Sequence, residues 1–289
     1  IGTLAAATSW SIASIPLAAG TNGIVVSGTN GAATATNATD SGANFVYADG
    51  WTTNDNGGFG FGAWQFYAGS TNSSYNGRFM ATGAVVSIGT PAWGLYANST
   101  NLTEAKRPLN RAFATGQTFS VKFDNGVIDS GYGVGIALQN AGGNTLWEFY
   151  FNGGDAFYNL TGAQTDIGWT SNGLTIALSL SSPTSYVATL APLGENPRIF
   201  AGNLAASTNM AATVFRVWNW NAGAGSDHDI FFNNLQITTA TAGSAAADSV
   251  AIIRPPGIVS NTLTVLSPHG APIPAGANAS VAGTIVTAR

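Results

Sequence analysis

Cysteine is absent from the 289 residues, which excludes disulfide bonds, zinc–thiolate sites and a thiol nucleophile. Histidine occurs only at positions 228 and 269, whereas a zinc site needs three or four ligands of that kind. The Gly-x-Ser-x-Gly elbow of serine hydrolases is also missing. No apolar run approaches the length of about 18 residues that a membrane-spanning helix needs. These absences remove the commonest kinds of catalytic and membrane-embedded protein.

Charge is scarce, because Asp, Glu, Lys and Arg make up only 8% of the chain, against about 25% in an ordinary soluble domain. The formal net charge is −4. The nine basic residues are spread thinly, apart from a short cluster at Lys106, Arg107 and Arg111. There is no basic stripe, so nucleic-acid binding is not expected.

Asn, Thr, Ser and Gly supply the polar surface instead, and they resist changes of salt and pH because they carry no charge. We expect an extracellular or cell-surface chain, processed after a signal peptide, since it begins at Ile1 rather than Met, and Arg289 is a candidate for a second processing point. So few charges also predict a surface covered by other copies of the chain. Six Asn-X-Ser/Thr sequons occur, and we leave open whether they carry glycans; they lie at Asn37, Asn72, Asn98, Asn101, Asn159 and Asn278.

Short alternating apolar segments separated by Gly, Asn, Asp and Pro predict an all-β fold. The clearest strands are expected at 118–123, 134–138, 146–151, 174–180, 186–190, 214–220 and 230–237. Asn125-Gly126 predicts a hairpin turn, and 140–144 predicts a second, glycine-rich turn. This spacing is typical of an antiparallel β-sandwich.

Three regions are expected along the chain: an N-terminal extended segment (1–58), a jelly-roll β-sandwich (59–239), and a linker with a strand-forming tail (240–289). Residues 239–248 are predicted to be the linker. Strands in the tail are expected at 250–253, 263–266 and 281–286, and a β-prone piece lies at 24–26. Both ends are expected to pair with the sandwich itself or with a neighbouring subunit.

The segment Asp229-Ile230-Phe231-Phe232-Asn233-Asn234-Leu235-Gln236-Ile237 and the preceding VFRVWNW strand resemble the closing strands of concanavalin A-like and laminin-G-type jelly rolls. The resemblance spans about 119–238 and concerns the fold. It implies a jelly-roll sandwich and, by analogy alone, an affinity for carbohydrate.

Glycosidase chemistry needs two carboxylates flanking one bond, and the chain has only three Glu residues, at positions 104, 148 and 195. The paired Glu-x-Asp-x-x-Glu motif of jelly-roll glucanases is absent. Glu148 interrupts the apolar segment LWEFYF, where burial could make it a general acid. We instead expect it to pair with an Arg such as Arg216, or to face solvent outside the sheet.

Metal binding has two weak candidates. Asp227-His228-Asp229 could hold a metal or relay protons, but polar residues are expected in that turn anyway. Asp124, Asn125 and Asp129 could bind calcium, yet they are also ordinary turn formers. We therefore predict no cofactor, no metal site and no catalytic residue, with calcium as the minor alternative.

Two segments place Gly at alternate positions, GFGFG at 58–62 and GYGVG at 131–135. On a strand this leaves one face bare, which lets a backbone, an aromatic ring or a sugar approach closely. Trp218 and Trp220 are expected to share a face, in the core rather than on a sugar-stacking surface. The other Trp residues available for such a surface are Trp51, Trp64, Trp93 and Trp169.

The main hypothesis is a secreted, non-enzymatic structural subunit that assembles with copies of itself into a filament, sheath or surface layer, partly by strand addition. The alternative is a non-catalytic, lectin-like carbohydrate-binding module. A third hypothesis is a glycan-active enzyme.

Overall fold

The computed structural model describes residues 20–29, 33–83, 87–241, 245–254, 260–265 and 276–281. Within these residues almost every element is a β-strand, and the two exceptions are three-residue 3-10 helices, Phe45–Tyr47 and Ser226–His228. The predicted all-β class is confirmed. Across these ranges, helices of the length and apolarity needed to traverse a bilayer are not found.

Among the described residues, fifteen strands build the sandwich and four others build a separate sheet. In chain order they are β1 (Gly20–Thr29), β2 (Ala33–Asp40), β3 (Gln65–Ala68), β4 (Asn76–Ala81), β5 (Ala92–Ala97), β6 (Leu102–Phe113), β7 (Gln117–Asn125), β8 (Gly133–Gln139), β9 (Thr145–Asn152), β10 (Asn159–Leu160), β11 (Ala163–Gln164), β12 (Leu174–Leu180), β13 (Ser185–Pro192), β14 (Arg198–Asn203), β15 (Ala212–Trp220), β16 (Ile230–Thr241), β17 (Ala245–Arg254), β18 (Ser260–Val265) and β19 (Gly276–Val281).

The sandwich consists of two antiparallel sheets. One has the strand order β11-β10-β9-β8-β15-β6-β3, and we call it the seven-stranded sheet. The other has the order β14-β13-β12-β7-β16-β5-β4, with β2 pairing to β16. Phe215 of the first sheet lies 5.3 Å from Phe119 and 6.0 Å from Phe232 of the second, measured between ring centroids. The two sheets therefore face each other across an aromatic core.

The predicted alternation is clearest in β12, where Leu174, Ile176, Leu178 and Leu180 are buried and the residues between them are more exposed. Each inward position faces the opposite sheet, as a period of two requires. The turn predicted at 140–144 is also confirmed, because it joins β8 to β9 as a hairpin.

The hairpin predicted at Asn125-Gly126 is wrong. β7 pairs with β12 and β16, while β8 lies in the other sheet beside β9 and β15, so the chain crosses between sheets here. A Cβ on Gly126 would lie 1.9 Å from the backbone oxygen of Asp227. The glycine thus allows close backbone approach rather than a tight turn. Asn125 accepts a hydrogen bond from the Tyr158 hydroxyl at 2.8 Å.

The compact sandwich unit runs from Thr34 to Thr241. Residues 34–58, expected to form part of a separate N-terminal segment, belong to it because Tyr47 and Trp51 are buried in its core. Arg107, a member of the short basic cluster in the sequence, is fully buried, where it pairs with Asp40 and also contacts the Tyr47 hydroxyl. This polar contact ties the region around β2 to β6.

The four-stranded sheet has the order β1-β17-β18-β19. β1 and β17 pair antiparallel from Gly20↔Arg254 to Thr29↔Ala245. The predicted linker at 239–248 is therefore mostly strand, since β16 continues to Thr241 and β17 begins at Ala245. The β-prone piece at 24–26 and the strand expected at 250–253 are confirmed, and β18 covers most of the strand expected at 263–266. The strand expected at 281–286 lies almost wholly outside the described residues.

Candidate functional site

The outer surface of the seven-stranded sheet carries an unusual group of aromatic and charged side chains. Residues directly opposite each other on antiparallel strands share a face. Since Phe215 and Val217 point into the core, their neighbours on β15 point outward. We call this surface the Trp220 face and define it by Tyr67, Glu104, Lys106, Glu148, Tyr150, Arg216, Trp218 and Trp220.

Trp218 and Trp220 share a face, as predicted, but their expected burial in the core is wrong. Trp220 is 46% exposed, and its ring meets the edge of Tyr132 at 5.4 Å between centroids. The inward phase of β15 is occupied by Phe215 and Val217. The two Trp residues therefore fall on the outer phase, where Tyr67 on β3 adds a ring that is 54% exposed.

The glycines of β8 form the floor beneath Trp218. A Cβ on Gly135 would lie 3.0 Å from the Trp218 ring and 2.7 Å from the Cβ of Tyr150. A Cβ on Gly133 would lie 3.3 Å from the same ring. The expectation that alternate glycines admit an aromatic ring is confirmed. The indole therefore packs directly against the backbone of β8.

Glu104 holds the two cations of the face. Its Oε1 accepts from the Arg216 Nε at 2.8 Å and from Nη2, and its Oε2 lies 3.2 Å from the Lys106 Nζ. The Arg216 guanidinium in turn lies 5.5 Å from the centre of the Trp218 ring, within cation–π range. Both carboxylate oxygens of Glu104 are thus occupied by protein partners.

Glu148 differs from Glu104. It is half-buried on the outer side of β9, and none of the described residues donates a hydrogen bond to its carboxylate. Burial raises the pKa of the Glu148 carboxyl, and the charge of Arg216 lowers it by a smaller amount. Glu148 was expected either to pair with Arg216 or to lie on the outer surface of the sheet. It lies on the outer surface, and Arg216 donates its hydrogen bonds to Glu104 instead.

The three residues considered for calcium do not converge. Asp124 lies on the outer side of the other sheet, where burial raises its pKa to about 6. Asn125 points inward to Tyr158, and Asp129 contacts the ring of His228 at 3.2 Å. Calcium remains an untested expectation, and these residues offer no shared position for it.

The Asp227-His228-Asp229 segment forms a small polar cluster between loops. His228 Nδ1 lies 3.1 Å from Asp227, and its Nε2 faces Asp129. Asp229 is buried, which raises its pKa to about 7, although the neighbouring His228 lowers it and Asp227 raises it further. In the part of the chain that the structure describes, no group of three or more His, Asp or Glu side chains is placed to hold a metal ion.

Two sequons illustrate how differently these sites are placed. Asn72 lies on an exposed loop, whereas the Asn159 side chain is buried and donates to Asp155 at 2.7 Å. A glycan on Asn159 would break that contact. Of the remaining Trp candidates, Trp51, Trp64 and Trp93 are core residues, and Trp169 is 43% exposed away from the Trp220 face.

Sequence reasoning missed Tyr67, Tyr132 and Tyr150 as members of the site. The signal for Tyr150 was present, because Glu148 and Tyr150 alternate with the buried Phe149 and Phe151. No comparable signal exists for Tyr67, whose position depends on the pairing of β3 with β6.

No family model and no curated protein sequence matches the chain. Among solved structures, it is similar to a sialidase at 9% identity and a TM-score of 0.47, over 71% of this chain and 19% of that one. A carbohydrate esterase from the Shiga toxin-encoding bacteriophage phi24B has 12% identity and a TM-score of 0.43, over 72% and 100% of the two chains. The VIP36 exoplasmic/lumenal domain, bound to Ca2+ and Man3GlcNAc, has 8% identity and a TM-score of 0.36, over 62% and 83%. The chain thus spans about a fifth of the sialidase, and TM-scores this low do not indicate what it binds.

Proposed function

We propose that this protein is a non-catalytic carbohydrate-binding β-sandwich whose ligand lies on the Trp220 face. The observation that carries the proposal is the exposed indole of Trp220, set beside tyrosines and a charged network on one sheet surface. Ligand sites combine aromatic surface with a few well-placed polar groups. The C–H faces of sugar rings pack on aromatic rings, while their hydroxyl groups need polar partners.

The packing and ion pairs of the face support binding. Trp218 rests on the glycine floor, and Glu104 holds Arg216 and Lys106 in place. A surface already ordered in this way loses little side-chain entropy when a ligand binds.

Separation of the two acids on this face favours binding over hydrolysis. Glu104 on β6 and Glu148 on β9 are three strand spacings apart across the sheet and two residues apart along the strands, roughly 16 Å between backbones. Glycosidases need their carboxyl groups roughly 5–5.5 Å or 6.5–9.5 Å apart. Glu104 is also occupied by two cations, which leaves it unsuited to act as a nucleophile or base.

Self-assembly is the second candidate, and one observation favours it. β14 is the last strand of its sheet, and Ile199 on it is 71% exposed. An open edge of this kind can accept a strand from another copy. We propose an extracellular location for either function, based on the uncharged polar surface.

A glycan array tests the primary proposal. We expect the wild-type chain to bind at least one class of glycan, and Trp220→Ala to lose that binding. Trp169→Ala is the matched control, because it removes an indole of similar exposure that lies between β11 and β12 and not on a strand of the seven-stranded sheet. An array without hits, or equal loss in both variants at unchanged melting temperature, contradicts the proposal.

A further inference from the structure

We infer that the ligand is an extended oligosaccharide, whose different sugar units contact Trp220 at one end of the face and Glu148 at the other. The inference rests on the proposed function and specifies its ligand class. It follows from the distance between these two residues, from the exposure of the Trp220 ring, and from the Glu148 carboxylate, which accepts no hydrogen bond from the described residues.

Strand register sets the distance between the two ends. Trp220 pairs with Gly133, which pairs with Asn152, and Glu148 lies four residues before Asn152 on β9. The offset is about 13 Å along the strands and about 10 Å across them, or roughly 16 Å in total. This backbone distance exceeds the width of a single sugar ring, whereas a chain of several units spans it.

The surface between the two ends of the face carries only small side chains on β8. β8 presents only Gly133, Gly135 and Ala137 outward over this distance, so no long side chain of that strand blocks a ligand. The Trp218 ring lies close to both glycines, and the Arg216 guanidinium lies over that ring. The path from Trp220 to Glu148 therefore crosses the glycines of β8, beside the Trp218 ring and the Asn152 side chain.

Glu148 is suited to bind hydroxyl groups. Its carboxylate has acceptor sites that no described residue fills, in contrast to Glu104. A carboxylate can accept hydrogen bonds from two adjacent hydroxyl groups, and charge-assisted bonds are stronger than neutral ones. Tyr150, two residues along the same face of β9, adds a hydroxyl that donates or accepts.

Calorimetric titration with four oligosaccharide ladders tests the inference. The ladders are β-1,4-glucan, α-1,4-glucan, β-1,4-xylan and β-1,4-mannan, each from monosaccharide to hexasaccharide. We expect at least one hexasaccharide to bind at least about tenfold more tightly than its monosaccharide. Trp220→Ala and Glu148→Gln each lower hexasaccharide affinity about fivefold or more, and Glu148→Asp restores part of it.

The control is Glu195→Gln, which removes an acid on a turn away from the face and leaves binding unchanged. Because the pKa of Glu148 is raised, wild-type affinity falls as the pH is lowered through that pKa, and Glu148→Gln lacks this fall. The control variant and the pH dependence together distinguish direct contact of Glu148 with the ligand from a purely structural role of Glu148.

Two results overturn the inference and leave the proposed function standing: equal affinity for monosaccharide and hexasaccharide, or a Glu148→Gln affinity equal to wild type. Array hits confined to terminal single sugars, with no ladder bound, do the same. Absence of binding to the array and to every ladder overturns the proposed function as well.

Discussion

The indole of Trp218 lies across Gly135, close enough that a Cβ on the glycine would come within 3.0 Å of the ring. The two residues are direct neighbours on β15 and β8. This contact turns a gap in the sheet surface into a flat aromatic floor. It also makes the glycine a requirement of the site, because any side chain there would lift the indole.

Gly135→Ala is expected to destabilise the fold by about 1–3 kcal/mol, because the new methyl group overpacks against Tyr150 and the Phe149 carbonyl. It should also weaken glycan binding by displacing Trp218. Urea unfolding and titration with the best array ligand measure the two effects. Gly83→Ala is the control, since its Cβ would meet nothing within 4 Å. Equal stability of both variants would show that the contact is not tight.

Asp40→Ala is expected to cost about 3–5 kcal/mol, because it leaves the guanidinium of the fully buried Arg107 without its counter-ion. The exposed pair of Glu195 and Arg198 gives the comparison, and Glu195→Ala should cost about 0–1 kcal/mol. Denaturant unfolding of the two variants measures the difference. Similar costs would contradict a structural role for the buried pair.

Stability is expected to fall as the pH rises from about 4 to about 7, owing to Asp229. Its folded pKa of about 7 lies above the unfolded value of about 3.9, so the folded state binds the proton more tightly. The stabilisation is complete below the unfolded pKa and is lost as the pH passes the folded one. Asp229→Asn should reduce the drop in unfolding free energy between pH 5 and pH 8 by more than about 1 kcal/mol. An unchanged drop would exclude this origin.

A fragment comprising residues 34–241 is expected to fold and bind glycans without the terminal strands, because it has its own aromatic core. Thermal unfolding and the glycan array provide the measurements. Sedimentation of the full chain and the fragment also tests self-assembly, which should depend on the terminal strands if strands are donated from them. Polymers formed equally by both would contradict donation from the termini.

The parts of the fold that could be predicted are those that depend on the pattern of neighbouring residues in the sequence. The alternation in β12 and the glycine-rich turn at 140–144 depend on neighbouring residues, and both were predicted correctly. The Asn125-Gly126 hairpin failed because the same dipeptide serves a long-range need, the close approach of Gly126 to Asp227. Propensity cannot distinguish a turn from such a contact.

The site was less accessible to prediction. Glu104 and Arg216 are 112 residues apart in sequence, and only the register of β6 and β15 brings them together. The sharing of a face by Trp218 and Trp220 follows from period two, but which face is outward depends on the phase of the whole strand. Both phases of VFRVWNW are partly aromatic, so composition could not decide it.

Indole signals in a proton–nitrogen NMR spectrum test the central claim most directly, because the chain has eight Trp residues and those that the structure describes range from fully buried to half-exposed. Titration with a hexasaccharide that binds should shift the signal of the exposed Trp220 and that of Trp218, while the buried Trp93 and Trp147 stay unchanged. Shifts confined to Trp169, or binding without a change at Trp220, would contradict a ligand site on the outer face of the seven-stranded sheet.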